Sequence, residues 1–142
     1  MTDIDFKRII AHEGAQTNGF EELCCQLARR EASCATKFER IRGSGGDGGG
    51  ECLAHNRDGT VVGWQAKYVF DFDNLLKQIS KPCNTAVAVH KTLPEYVVCF
   101  PFDPTGKTGR KGTSQSAKFA NWVEKKSEEV KRQGRTVEIK SW

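Results

Sequence analysis

The chain reads as an α/β domain, a mixed β-sheet with helices on both faces in the order α-β-β-β-α-β-α-β. Two strand-like runs, Glu51 to His55 and Thr60 to Phe70, flank Arg57-Asp58-Gly59, a hairpin signal that makes them antiparallel. A helix capped by Asp73 then leads into the apolar run Glu95 to Pro101, and strand, helix, strand implies a parallel crossover. A further helix and the alternating segment Arg135 to Trp142 complete the order.

Taken in turn, the first helix runs from Gly19 to about Arg30, capped by Asn18, with Phe20, Leu23, Cys24 and Leu27 at helical spacing. Lys37 to Arg42 follows as a strand with Phe38 and Arg40 on one side and Glu39 and Ile41 on the other. Gly43 to Gly50 holds six glycines, too many for a strand interior, and reads as a tight loop. In the second helix Leu75, Leu76, Ile79, Cys83, Ala86 and Val87 keep a helical period as far as His90, while Pro82 predicts a kink or two short helices. EYVVCFP is continuous enough to be a buried central strand. Asp103 to Gly112 reads as a loop, and Thr113 or Ser114 caps a third helix with Phe119, Trp122, Val123 and Val130 inward, stopped at Gly134.

At 142 residues, 37% hydrophobic and 28% charged, the chain is expected to form a single domain over 1–142 with a core that needs no staples. No apolar run reaches membrane-spanning length, and MTDIDFKRII lacks the layout of a secretory leader, so a cytoplasmic protein with no membrane partner is expected. The net charge of +4 suits nucleic acid without requiring it. Six cysteines form no C-x-x-C pair and share no ligand spacing with His12, His55 or His90, so they read as reduced core thiols.

The chemistry concentrates between Gly43 and Lys67. Gln65 and Lys67, two apart on a strand, share a face. A two-residue turn at Asp58-Gly59 sets Glu51 opposite Ala66, and a one-residue change in the loop sets it opposite Gln65. An acid, an amide oxygen and an ammonium then meet at one point, a set that can hold a hard metal ion beside a phosphate. Mg²⁺ keeps several waters, so few protein ligands suffice: the Glu51 carboxylate, with Gln65 Oε1 and the Ala66 carbonyl as further oxygens. Lys67 would orient or deprotonate the attacking water and counter phosphate charge. Asp47 is a second acid, placed near Phe70 unless the glycine loop folds back, and an Asp in such a loop also serves turns. An isolated Gln-x-Lys is ordinarily the solvated face of an edge strand; the catalytic reading rests on its combination with Glu51 and the glycine loop.

Two basic features are less specific. Lys107, Arg110 and Lys111 on a glycine-rich loop suit either a DNA backbone or solvent. Gly106-Lys107-Thr108 is not a P-loop, because Pro101 stands where the first glycine is needed. On the last helix Lys125, Lys126, Lys131 and Arg132 alternate with Glu124, Glu128 and Glu129, as on a solvated, salt-bridged face.

Gly19-Phe20-Glu21, Gly46-Asp47-Gly48-Gly49-Gly50-Glu51 and Gln65-Ala66-Lys67 together resemble the PD-(D/E)xK nuclease superfamily, and within it Mrr-type restriction endonuclease-like domains, over roughly residues 18 to 101. The resemblance implies an αβββαβ core extended by a C-terminal helix and strand. It implies a Mg²⁺-dependent endodeoxyribonuclease, with Mn²⁺ substituting, that cuts double-stranded DNA with little sequence readout. Glu21 matches the family's additional acid reaching the metal or its waters, and equally suits a helix N-terminal acid. Glu51 stands where the family usually has Asp, and Gln65 where other branches carry an acid, which removes one negative charge. Leu93 to Cys99 and Gly106 to Arg110 are similar to nuclease domains at the N-terminus of bacterial anti-phage proteins, usually followed by a sensor or NTPase module. The expectation is therefore an antiviral-defence effector separated from such a parent and activated by assembly into a dimer or oligomer. The alternative is a catalytically silent nucleic-acid-binding or scaffolding module that keeps the fold.

Overall fold

The computed structural model describes residues 5–12, 14–42, 49–102 and 114–142. After a short 3₁₀ turn, Phe6–Arg8, the elements are α1 (Gln16–Glu31), β1 (Lys37–Arg42), β2 (Gly49–His55), β3 (Val61–Lys67), α2 (Phe72–Val89), β4 (Glu95–Cys99), α3 (Gln115–Arg132) and β5 (Glu138–Ser141). The sheet order is β1-β2-β3-β4-β5, antiparallel across the first three strands and parallel across the last three. This is the expected α/β architecture, with β3 at its centre.

The crossovers β3-α2-β4 and β4-α3-β5 step in the same direction, so right-handed connections lay both helices on one face. There Leu53, Leu75, Ile79, Tyr96, Val98 and Ile139 share a core, with Phe119, Trp122 and Val123 packed against it. The other face is covered by α1, whose Phe20, Cys24, Cys25 and Ala28 meet Cys52, Trp64, Ala66 and Val97. Five of the six cysteines are buried in these cores, Cys34 is exposed, and all are free thiols.

Local chemistry moved several boundaries. α1 begins at Gln16 with Ala15 as its N-cap, so Asn18 lies in the first turn rather than capping it. The start is fixed instead by the Gln16 amide, which donates to Lys7 O at 3.0 Å and Ile9 O at 3.1 Å. The N-terminal segment then passes so close to Gly19 that a Cβ there would collide with the Ile10 carbonyl oxygen. α2 is capped by Asp71, which accepts from Asn74 N at 2.8 Å, not by Asp73, and runs through Pro82 as one helix. Burial of Ile79 before the proline and of Cys83, Ala86 and Val87 after it holds both halves to the sheet. Ser114 caps α3 by accepting from Ala117 N at 3.1 Å. α3 ends in a Schellman motif: Gly134 takes φ +79°, its N–H donates to Lys131 O, and Arg135 N–H donates to Val130 O.

Lys126 overturns the expectation of a wholly solvated face on α3. It is 8% exposed, donates to Asn84 Oδ1 at 3.0 Å and pairs with Glu129 at 3.1 Å. Four residues earlier, Trp122 Nε1 donates to Ser80 Oγ at 2.8 Å, so this face of α3 forms a polar seam with α2.

Candidate active site

The hairpin register decides which side chains meet. Asp58 Oδ1 accepts from both the backbone N–H and the hydroxyl of Thr60, Asn56 N–H donates to Thr60 O, and Gly59 takes φ +88°. These bonds close a loop over residues 56–60, so His55 faces Val61 and the pairing slides one place from a two-residue turn. Glu51 consequently lies opposite Gln65 rather than Ala66, and Gly49 opposite Lys67. β3 ends at Lys67, short of Phe70.

Side chains alternate, so Glu51 on β2 and Gln65 and Lys67 on β3 share the face covered by α2 and α3. Since β3 is central, neither Gln65 nor Lys67 belongs to a solvated edge: they are 5% and 2% exposed. Polar groups this enclosed need partners. Glu51 Oε1 is enclosed and has no hydrogen-bond partner among the described residues. Burial also pushes the Glu51 carboxyl above its ordinary range. Gln65 Oε1 accepts from the Tyr96 hydroxyl at 3.4 Å. Tyr96 is fully buried, and its phenol is held well above its usual range by burial first, with Cys83 and Glu51 adding to the push. Nothing in EYVVCFP distinguished this tyrosine from a core aromatic.

The remaining predicted residues fall elsewhere. Ala66 is paired with Gly50 and Cys99, and its methyl lies in the core beneath α1. Glu21 is on α1, across the sheet from Glu51, although the Phe20 and Tyr68 rings, 5.6 Å apart, bring this turn of α1 to the end of β3 that carries Lys67. The next residue, Glu22, pairs with Arg40 of β1, and hydrogen bonds from Gln26 and Arg40 hold its carboxyl below the usual range. Asp47, Lys107, Arg110 and Lys111 lie outside the described residues.

The oxygen donors facing one another, Glu51 carboxylate and Gln65 amide, are the hard type that Mg²⁺ prefers, and the orphan Glu51 Oε1 is an acceptor that a cation would satisfy. Among the described residues no three of His, Cys, Asp or Glu converge into a ligand cluster, so most of the coordination would be water. No helix among the described residues is long and apolar enough to cross a membrane. Comparison of the chain with protein-family models, curated proteins and solved structures finds no match.

Proposed function

We propose that this domain is a Mg²⁺-dependent endonuclease that hydrolyses phosphodiester bonds of double-stranded DNA with little sequence readout. One observation carries the reading: Glu51 of β2 and Gln65 and Lys67 of β3 are gathered on one covered face of the sheet, and a Glu51 carboxylate oxygen has no hydrogen-bond partner among the described residues. A buried carboxylate oxygen without a donor costs stability unless a ligand completes it, and perturbed, desolvated carboxyls concentrate at functional sites.

In this reading Glu51 and Gln65 Oε1 hold the cation and Lys67 places its positive charge against the scissile phosphate. Bound there, Mg²⁺ supplies charge neutralisation at the phosphate and lowers the pKa of a coordinated water. Lys67 orients the attacking water or takes its proton. Proposed partners are DNA, a sensor or NTPase module of a parent defence protein, and further copies of the domain. Incubation with plasmid and Mg²⁺, with and without EDTA, tests the activity. Metal-dependent nicking is expected; no cleavage of DNA or RNA, alone or in an assembled parent, would sink it.

The second reading, a silent nucleic-acid-binding module, is favoured by the single described carboxylate on this face of the hairpin. It predicts salt-dependent DNA binding with no Mn²⁺ site. Calorimetric Mn²⁺ binding that Glu51→Ala abolishes decides for the enzyme.

A further inference from the structure

We propose that Tyr96 is a positioning residue of this site: its hydroxyl fixes the Gln65 amide so that Oε1 and the Glu51 carboxylate are presented together to a divalent cation. The inference rests on the functional reading above and adds a residue to it from β4.

Tyr96 is the Cα partner of Gly63, two residues before Gln65 on the same face of β3. Gly63 leaves the space its ring uses, since a Cβ there would come 3.2 Å from Tyr96 Cδ2 and 3.6 Å from Leu53 Cδ2. Leaning over this gap, the ring reaches along β3 and its hydroxyl donates to Gln65 Oε1 at 3.4 Å. The position is wholly enclosed, so no water replaces that bond, and phenylalanine would fill the same volume without burying a hydroxyl. An amide oxygen has two acceptor sites. With one taken by Tyr96, the other remains for a cation beside Glu51, its cross-strand partner. Gln65 contributes no charge to a metal, so its usefulness as a ligand depends on orientation, which the hydrogen bond from Tyr96 supplies.

The test is calorimetric titration of the whole chain with Mn²⁺, for the wild type and for Tyr96→Phe, Gln65→Ala, their double variant and Glu51→Ala. Tyr96→Phe is expected to weaken Mn²⁺ binding about tenfold. In the Gln65→Ala background it should cause no further loss, because its effect passes through the amide. With plasmid, Tyr96→Phe should lower kcat and leave the KM for DNA unchanged. Wild-type affinity in Tyr96→Phe, or losses that simply add in the double variant, would overturn the positioning role while a Glu51-dependent site left the nuclease reading standing. Absence of any Glu51-dependent Mn²⁺ site would overturn both.

Discussion

Replacing Glu51 by Gln should make the metal-free domain more stable at neutral pH. The carboxylate is desolvated, and one of its oxygens has no hydrogen-bond partner among the described residues; glutamine keeps an oxygen there but removes the charge, and leaving a buried group unsatisfied costs about 1–3 kcal/mol, more when it is charged. Glu51 is only half-buried, so the low end applies, about 1 kcal/mol after allowing for solvent screening. For 142 residues the unfolding entropy is about 0.3 kcal/mol/K, so the gain corresponds to roughly 3 °C in Tm. The pH dependence gives the sign. Burial raises the folded-state pKa of Glu51 above its ordinary 4.5, so between that value and the raised one the folded state binds more protons than the unfolded state. Stability contributed by this group is therefore complete below 4.5 and is lost as pH rises through the folded pKa. Thermal unfolding in EDTA at about pH 4 and at neutral pH should show the variant's advantage absent at the lower pH and present at the higher. Added Mn²⁺ should raise the Tm of the wild type only. A variant less stable than wild type at neutral pH, or a difference that does not change with pH, would refute the reasoning.

Lys67→Met keeps the volume of a side chain that is 2% exposed, so cleavage should disappear while the Tm, read by circular dichroism, stays within a few degrees; cleavage near the wild-type rate would remove the strand-face assignment. Lys126→Ala breaks the bonds to Asn84 and Glu129 and should lower stability by about 2 kcal/mol in urea titrations without changing nicking. A single site cuts one strand and a double-strand break needs two, so double-strand cutting should climb more steeply than linearly with protein concentration and rise on fusion to an oligomer, with sedimentation giving the oligomeric state; first-order dependence with double-strand cutting by a proven monomer would contradict this.

The element order was readable because period and punctuation agreed along most of the chain. The expected arrangement of Glu51, Gln65 and Lys67 depended on a register that turn chemistry alone leaves open by one residue. Asp58 settles it by binding the backbone and hydroxyl of Thr60, a side-chain choice that the Arg57-Asp58-Gly59 signal does not encode. Asp71 and Asp73 are both acids that can cap, and only the backbone path out of β3 selects the former. Lys126 looked solvated because charge alternation on one helix says nothing of Asn84, 42 residues earlier, which meets it across the α2–α3 seam. Tyr96 was hidden for a similar reason: its significance comes from Gly63 on the neighbouring strand, not from its own segment.

The distribution of the cysteines makes the chain its own reporter of partial opening. Cys34 is exposed, whereas Cys24, Cys25, Cys52 and Cys99 lie together between α1 and the sheet, and Cys83 lies under α2 on the opposite face. Burial pushes the Cys52 thiol far up and the Cys83 thiol up to about 11, while Cys99 is raised by its hydrogen bond with Cys24 and by burial. Thiolate is the reactive form, so an alkylating reagent should label Cys34 at once and the others only when their helix lifts away. Labelling of the four thiols at the α1–sheet interface ahead of Cys83 would show α1 detaching as a unit from a sheet that stays assembled with α2 and α3.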